Sequence, residues 1–153
     1  MSCFLIFLSF QKRKMANKRS DCRLIKFPKI QDIRGNLTFI EGRVHIPFKA
    51  ERVYFIYDVP GGEARGEHAY KNTCEVAISL AGSFDIYVDD GKEKRVFSLN
   101  RSCYGIYIPP MIWRRMENFS TNSVCLAIAS MPYLEEDYLR NYDYYQRLKL
   151  AEK

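Results

Sequence analysis

Beyond residue 20, short runs rich in isoleucine, valine, phenylalanine and tyrosine alternate with turn signals, and this punctuation constrains the chain to an antiparallel β architecture. Strands are expected over LTFIE (37–41), after the turn-forming Asp32-Ile33-Arg34-Gly35-Asn36, and over RVYFIYDV (52–59), which stops at Pro60-Gly61-Gly62. CEVAISLAG (74–82) leads into SFDIYVDDGKEKRVFSL (83–99), where Asp90-Gly91 between two alternating runs is a strong hairpin signal. Side chains alternate along a strand, so Phe84, Ile86 and Val88 share one face and Asp85 and Tyr87 the other. YGIYIPP (104–110) ends at a proline pair, and VCLAIAS (124–130) is apolar enough to be buried on both faces. The tail MPYLEEDYLRNYDYYQRLKLAEK (131–153) reads as a helix with Leu134, Tyr138 and Tyr145 on one stripe. Closely spaced strands of this kind form a sandwich or small barrel, and such barrels can hold one small ligand.

At 153 residues the chain is one domain, expected over 21–146, between a tail at 1–20 and a C-terminal tail at 147–153. The net charge of +6 misleads, because Lys12, Arg13, Lys14, Lys18 and Arg19 lie in the first twenty residues with no acid among them. The remainder carries only +1, so no basic stripe marks a nucleic-acid surface, and no nucleic-acid partner is expected. MSCFLIFLSF followed by QKRK reverses the charge order of a secretory signal and is too short to span a bilayer. Translation from Met15, with residues 1–14 an over-extended frame, is the expectation, and no membrane partner is expected. Cys3, Cys22, Cys74, Cys103 and Cys125 are odd in number and lack C-x-x-C spacing, against both a disulfide framework and a zinc site. They suit small buried residues of a reducing, cytoplasmic compartment, although Cys74, beside Glu75, could face a cavity.

The stretch from Gly62 to Gly82 sharpens the fold. It fits the first cupin signature, G-x5-H-x-H-x4-E-x6-G, at every fixed position but one: Gly62, His68, Glu75 and Gly82 are in register, and Tyr70 stands where the second histidine belongs. The second signature, G-x5-P-x-G-x2-H-x3-N, has a degraded counterpart in GIYIPPMIWRRMEN, where Pro109 and Asn118 keep their spacing, Met111 replaces the glycine and Arg114 the histidine. The resemblance implies an all-β cupin jelly-roll barrel with a C-terminal helix. His68, Tyr70, Glu75 and Arg114 would be the ligand positions of a metal-binding cupin. A guanidinium has no free lone pair and stays charged, and tyrosine is an uncommon ligand, so the expected metal is none.

An extended segment places Gly66, His68 and Tyr70 on one face and Glu67, Ala69 and Lys71 on the other. A histidine there can serve as a general base. Tyr70, which ordinarily ionises near pH ~10, suits a proton donor unless a cation such as Arg114, projected from the opposite wall, lowers its pKa. A half-buried histidine, a barrel-filling tyrosine and a surface arginine would satisfy the same spacing. Their coincidence with the positions of one signature, glycines in register, weighs for a function. Arg34, Arg52, Arg65 and Lys71 are further candidates, since a guanidinium fork can grip a diphosphate; Arg65, beside Gly66 and close to the base, has the best position. His45, in a loop before a proline, reads as structural.

Arg65-Gly66-x-His68-Ala69, YIPPMIWR (107–114) and YLEEDYLRNYD (133–143) together resemble the WxcM-like sugar-nucleotide cupins, and more narrowly the dTDP-4-oxo-6-deoxyglucose 3,4-ketoisomerases, from about Leu24 to Tyr144. The resemblance implies a dTDP-sugar substrate, no cofactor, and a homodimer that exchanges N-terminal strands. It makes His68 the base, with Tyr70 as second catalytic residue where typical members carry histidine. Arg114 would hold enediolate charge, Arg65 would seat the diphosphate, and Tyr54 would touch the sugar, with Arg34 and Lys71 as further substrate contacts. A nucleotide-sugar 3,5-epimerase and a sugar-nucleotide-binding cupin without activity are the alternatives.

Overall fold

The computed structural model describes residues 21–151; the expectations about residues 1–20, including the start at Met15 and the setting of Cys3, lie outside them. The strands are β1 (Arg23–Lys26), β2 (Lys29–Asp32), β3 (Gly35–Thr38), β4 (Arg52–Ile56), β5 (Arg65–Tyr70) and β6 (Glu75–Ala81). They continue as β7 (Phe84–Asp89), β8 (Lys94–Leu99), β9 (Tyr104–Ile108), β10 (Trp113–Glu117), β11 (Val124–Ala129) and β12 (Tyr138–Leu139), before helix α1 (Tyr142–Ala151). Two five-stranded sheets, ordered β1-β9-β6-β11-β4 and β12-β5-β10-β7-β8, account for all but the β2–β3 hairpin. The all-β jelly-roll expectation holds.

Alternation decides what each strand turns inward. Ala77, Ile106, Ile108 and Cys125 of the first sheet pack against Phe84, Ile86, Val88, Leu99 and Met116 of the second. Val76, Ile78, Tyr107 and Ile128 point the other way and are covered by Phe27, Ile46 and Phe48, so β6 and β11 are buried on both faces. Cys74 belongs to this outer layer and not to the cavity, with Tyr107 donating to its sulfur at 3.4 Å. Burial pushes the thiols of Cys22 and Cys125 up to about 12, so both stay protonated packing groups. His45 is structural as expected: its Nδ1 accepts from the backbone of Glu41 at 2.9 Å.

Three local expectations are corrected. The strand placed at 37–41 begins earlier, because Gly35–Thr38 pairs with Lys29–Asp32 across the Ile33-Arg34 turn. The helix read over the whole tail starts only at Tyr142, where the Asn141 carboxamide caps it by accepting from the Tyr144 backbone at 2.8 Å. The residues before it form a 3-10 turn (Glu135–Asp137) and then β12, which pairs with β5. Buried Asp137 explains this: its carboxylate accepts from Asn72 and Thr73, backbone and side chain alike, at 2.6–3.2 Å, and a tertiary anchor of that kind overrides helix propensity. The helix also runs on through residue 146, where the domain's end was expected.

Candidate active site

A cleft of about 410 Å³ opens between the two sheets, lined chiefly by Arg52, Tyr54, Arg65, His68, Tyr70 and Tyr138. β4 contributes Arg52 and Tyr54 on its inward face, while Val53 and Phe55 point out. β5 contributes the rest through a bulge. Arg114 pairs with His68 but Met116 pairs with Arg65, so β5 holds one residue more than β10 over this stretch. Gly66 absorbs the excess at φ 73°, where a side chain would be strained and its Cβ would lie 2.9 Å from the Met116 methyl, so this position favours glycine. The bulge re-aims Arg65, which simple alternation put on the outer face, toward the side of the strand that carries His68.

The closed end of the site is built from Glu75, Arg114 and Tyr54. Arg114 Nη2 donates to Glu75 Oε2 at 3.0 Å, and the Tyr54 hydroxyl donates to the same oxygen at 2.6 Å. Both charged side chains are 1% exposed. Burial disfavours the Arg114 charge, but Glu75, Tyr54 and Tyr70 outweigh it and hold the guanidinium protonated. Its carbon lies 4.0 Å from the centre of the Tyr70 ring. Burial, then the Glu75 charge, drive the Tyr54 phenol far above its usual value, so its proton stays on Glu75's partner bond.

The mouth is different. Arg52 Nη2 donates to the Tyr70 hydroxyl at 3.1 Å, and that hydroxyl meets the Tyr138 hydroxyl at 3.1 Å. Arg52 Nε and Nη1, and Nε2 of His68, are buried without a hydrogen-bond partner in the protein, which is costly unless a ligand supplies one. His68 touches the rings of both Tyr70 and Tyr138, with centroids 4.9 Å and 4.8 Å away. Burial first, then Arg114, Arg140 and Arg52, push the imidazole down to about 2, so it is neutral with a lone pair available. Tyr70 moves the other way: burial and Glu75 raise it above its usual value against the opposing pull of Arg114, and it remains a proton donor.

The four positions that hold a metal in other cupins do not fit one here. Arg114 sets a positive charge against Glu75 and cannot ligate, and the Glu75 oxygen nearest it already accepts two hydrogen bonds. Among the described residues, no group of three or more histidine, cysteine or acidic side chains could hold a metal ion.

The chain therefore brings together His68, Tyr70, Tyr54 and Arg65 of the expected residues. Arg114 comes from the strand beside His68, not the opposite wall, and lies under the Tyr70 ring without lining the cleft. Lys71 faces away, its Nζ donating to the Glu136 carbonyl at 2.6 Å. Arg34 sits in the exposed β2–β3 turn, paired with Asp32 at 2.7 Å, and does not line the cleft of its own chain. The residues that sequence reading missed, Tyr133, Tyr138 and Arg140, line the cleft from the segment misread as helix. Asn141, a good N-cap, was the signal that the helix begins after them.

Fold and site together define a cupin whose metal position is filled by its own guanidinium–carboxylate pair. Comparison with known proteins narrows this. The FdtA, WxcM-like C-terminal family model matches residues 20–150, and the chain belongs to that family. It is 40% identical over 125 residues to the TDP-4-oxo-6-deoxy-α-D-glucose-3,4-oxoisomerase of Aneurinibacillus thermoaerophilus, covering 82% of this chain and 90% of that one. A variant of the QdtA 3,4-ketoisomerase of Thermoanaerobacterium thermosaccharolyticum, solved with TDP-4-keto-6-deoxyglucose, superposes with a TM-score of 0.83 at 41% identity, over 85% of this chain and 94% of that one. The dTDP-4-dehydrorhamnose 3,5-epimerase of Bacillus anthracis shares the fold alone, at 14% identity and a TM-score of 0.68 over 81% of this chain and 80% of that one.

Proposed function

We propose that the protein is a metal-independent 3,4-ketoisomerase of a dTDP-4-oxo-6-deoxyhexose, serving deoxysugar biosynthesis. One observation carries the reading: a buried His68 whose Nε2 has no partner in the protein, beside the free donors of Arg52, in a cleft whose metal position is closed. A ketone at C4 acidifies the C3–H bond. His68 removes that proton, the charge spreads over an enediolate, and reprotonation at C4 leaves the ketone at C3. Arg52 takes the oxyanion role that the sequence suggested for Arg114, because it lines the cleft where Arg114 does not, and its Nε and Nη1 have no partner in the protein. Arg65, exposed at the mouth, suits the diphosphate, and Tyr70 is a hydrogen-bonding donor at the second catalytic position. Tyr54 offers the sugar its ring and a hydroxyl oxygen, its proton being committed to Glu75.

A homodimer belongs to the same proposal. The β2–β3 hairpin exposes Ile30, Ile33 and Leu37, and β4, an edge strand, exposes Val53 and Phe55. Pairing one copy's hairpin with the other's edge would cover both apolar sets and carry Arg34 toward the neighbour's cleft.

Incubating chelator-treated protein with dTDP-4-oxo-6-deoxyglucose and following the sugar by NMR tests the activity. A new 3-oxo sugar is expected. Inversion at C3 and C5 would make the protein an epimerase, and tight binding without conversion would make it a sugar-nucleotide-binding protein.

A further inference from the structure

Moving a ketone from C4 to C3 shifts two protons: one from C3 to C4, and one from O3 to O4. His68 carries the first, and the second needs a group that can both give and take a proton between neighbouring oxygens. We infer that this group is the Tyr138 hydroxyl, polarised from behind by Tyr70 and Arg52, an inference that rests on the ketoisomerase reading above.

The hydrogen bonds run in one direction, from Arg52 through Tyr70 to Tyr138. Arg52 can only donate, so the Tyr70 oxygen accepts from its Nη2 at 3.1 Å. Tyr70 has one proton, and it goes to the Tyr138 oxygen, also at 3.1 Å. Tyr138's own proton is thereby left for the cleft that its ring lines. The chain runs outward, from Tyr70 at 2% exposure to a half-buried Tyr138. Arg140 stacks on the far ring, its guanidinium carbon 4.3 Å from the Tyr138 centroid, and adds positive charge beside any phenolate. The Tyr138 and His68 rings are in contact and line the same cleft, so both can reach one bound sugar.

The step balances. As His68 takes the C3 proton, the C3–H electron pair becomes the C3=C4 bond, and Tyr138 gives its proton to O4 as the C4=O pair moves there. The Tyr138 oxygen, stabilised by the Tyr70 proton, then takes the O3 proton while His68 returns its own to C4. The ketone now stands at C3, and both residues end as they began. No oxidant or reductant is required.

The test is Tyr138→Phe, Tyr70→Phe and the double variant, assayed with dTDP-4-oxo-6-deoxyglucose in D2O. Tyr138→Phe should lower kcat at least about 100-fold with KM within about 3-fold, in the range of a lost general acid–base group. With His68 intact, the ratio of deuterium uptake at C3 of unconverted substrate to product formed should rise. Tyr70→Phe should cost about 10-fold, and the double variant should be no slower than Tyr138→Phe alone, since the two hydroxyls act in series. Turnover of Tyr138→Phe within about 3-fold of wild type overturns the inference, as does an additive double variant with an unchanged exchange ratio. Both results leave the ketoisomerase reading standing; a wild-type protein that binds the sugar but neither exchanges nor converts it overturns the two together.

Discussion

The closed end of the cleft and its mouth use the same kinds of residue to opposite effect. In the closed end, Arg114 meets Glu75 at 3.0 Å and the pair is sealed from water. At the mouth, Arg52 makes no ion pair among the described residues, its Nε and Nη1 have no partner, and a histidine beside it is held neutral. Arg114 Nε and the second Glu75 oxygen also lack partners. What separates the two arginines is the ion pair of one and the cleft-lining position of the other, which on the proposed reading lets Arg52 meet an incoming anion. A guanidinium stands at one of the signature's metal-ligand positions here, and its ion pair with Glu75 lies beneath the Tyr70 ring.

Removing the base should produce the largest effect. His68→Asn is expected to lower kcat about 10²- to 10⁴-fold in steady-state assays while thermal denaturation stays close to wild type, since the role is proton transfer. Arg114→Met should instead strike stability. It strands the Glu75 charge and is expected to cost roughly 3–5 kcal/mol in urea denaturation, most of it recovered when Glu75→Leu is added. If Arg114→Met unfolded no more easily than wild type while losing turnover, the division between the two ends would collapse. Arg52→Met should lower kcat about 10²-fold with a smaller rise in KM, the loss of a donor to the charge that develops on the enediolate oxygen.

The pH profile sharpens the same contrast. His68 titrates at about 2 instead of 6.5, so kcat/KM should show no histidine limb as pH falls through 6.5. The sign for stability follows: below 6.5 the unfolded chain protonates this residue and the folded one does not, so stability falls with pH toward about 2. Denaturation midpoints of His68→Asn should fall less over that interval. Lys71→Ala marks the lower bound, with less than about 2-fold change in kcat/KM, because its ammonium is held by the Glu136 carbonyl outside the cleft.

Strand alternation explains how much of this site was legible. The signature spacing carries His68, Tyr70 and Glu75 to buried positions on successive strands because it encodes strand register. Facing the cleft is another matter. Arg114 turns inward as expected, yet its ion pair with Glu75 draws it beneath Tyr70, an outcome set by a long-range contact and not by its own strand. Arg65 reaches the cleft only through the bulge at Gly66, which shifts the alternation locally. Tyr138 was hidden because its segment has helical composition, and the buried anchor that unwinds it, Asp137 on Asn72 and Thr73, joins residues about sixty-five positions apart.

Deuterium tracing in D2O, with chelator-treated wild type run beside His68→Asn and Arg114→Met, addresses the division most directly. A 3-oxo sugar formed by wild type and by whatever fraction of Arg114→Met remains folded, but not by His68→Asn, is the expected result; it carries deuterium at C4 only to the extent that the proton held on His68 exchanges with solvent. Conversion that requires an added transition metal, or that survives in His68→Asn, would contradict it.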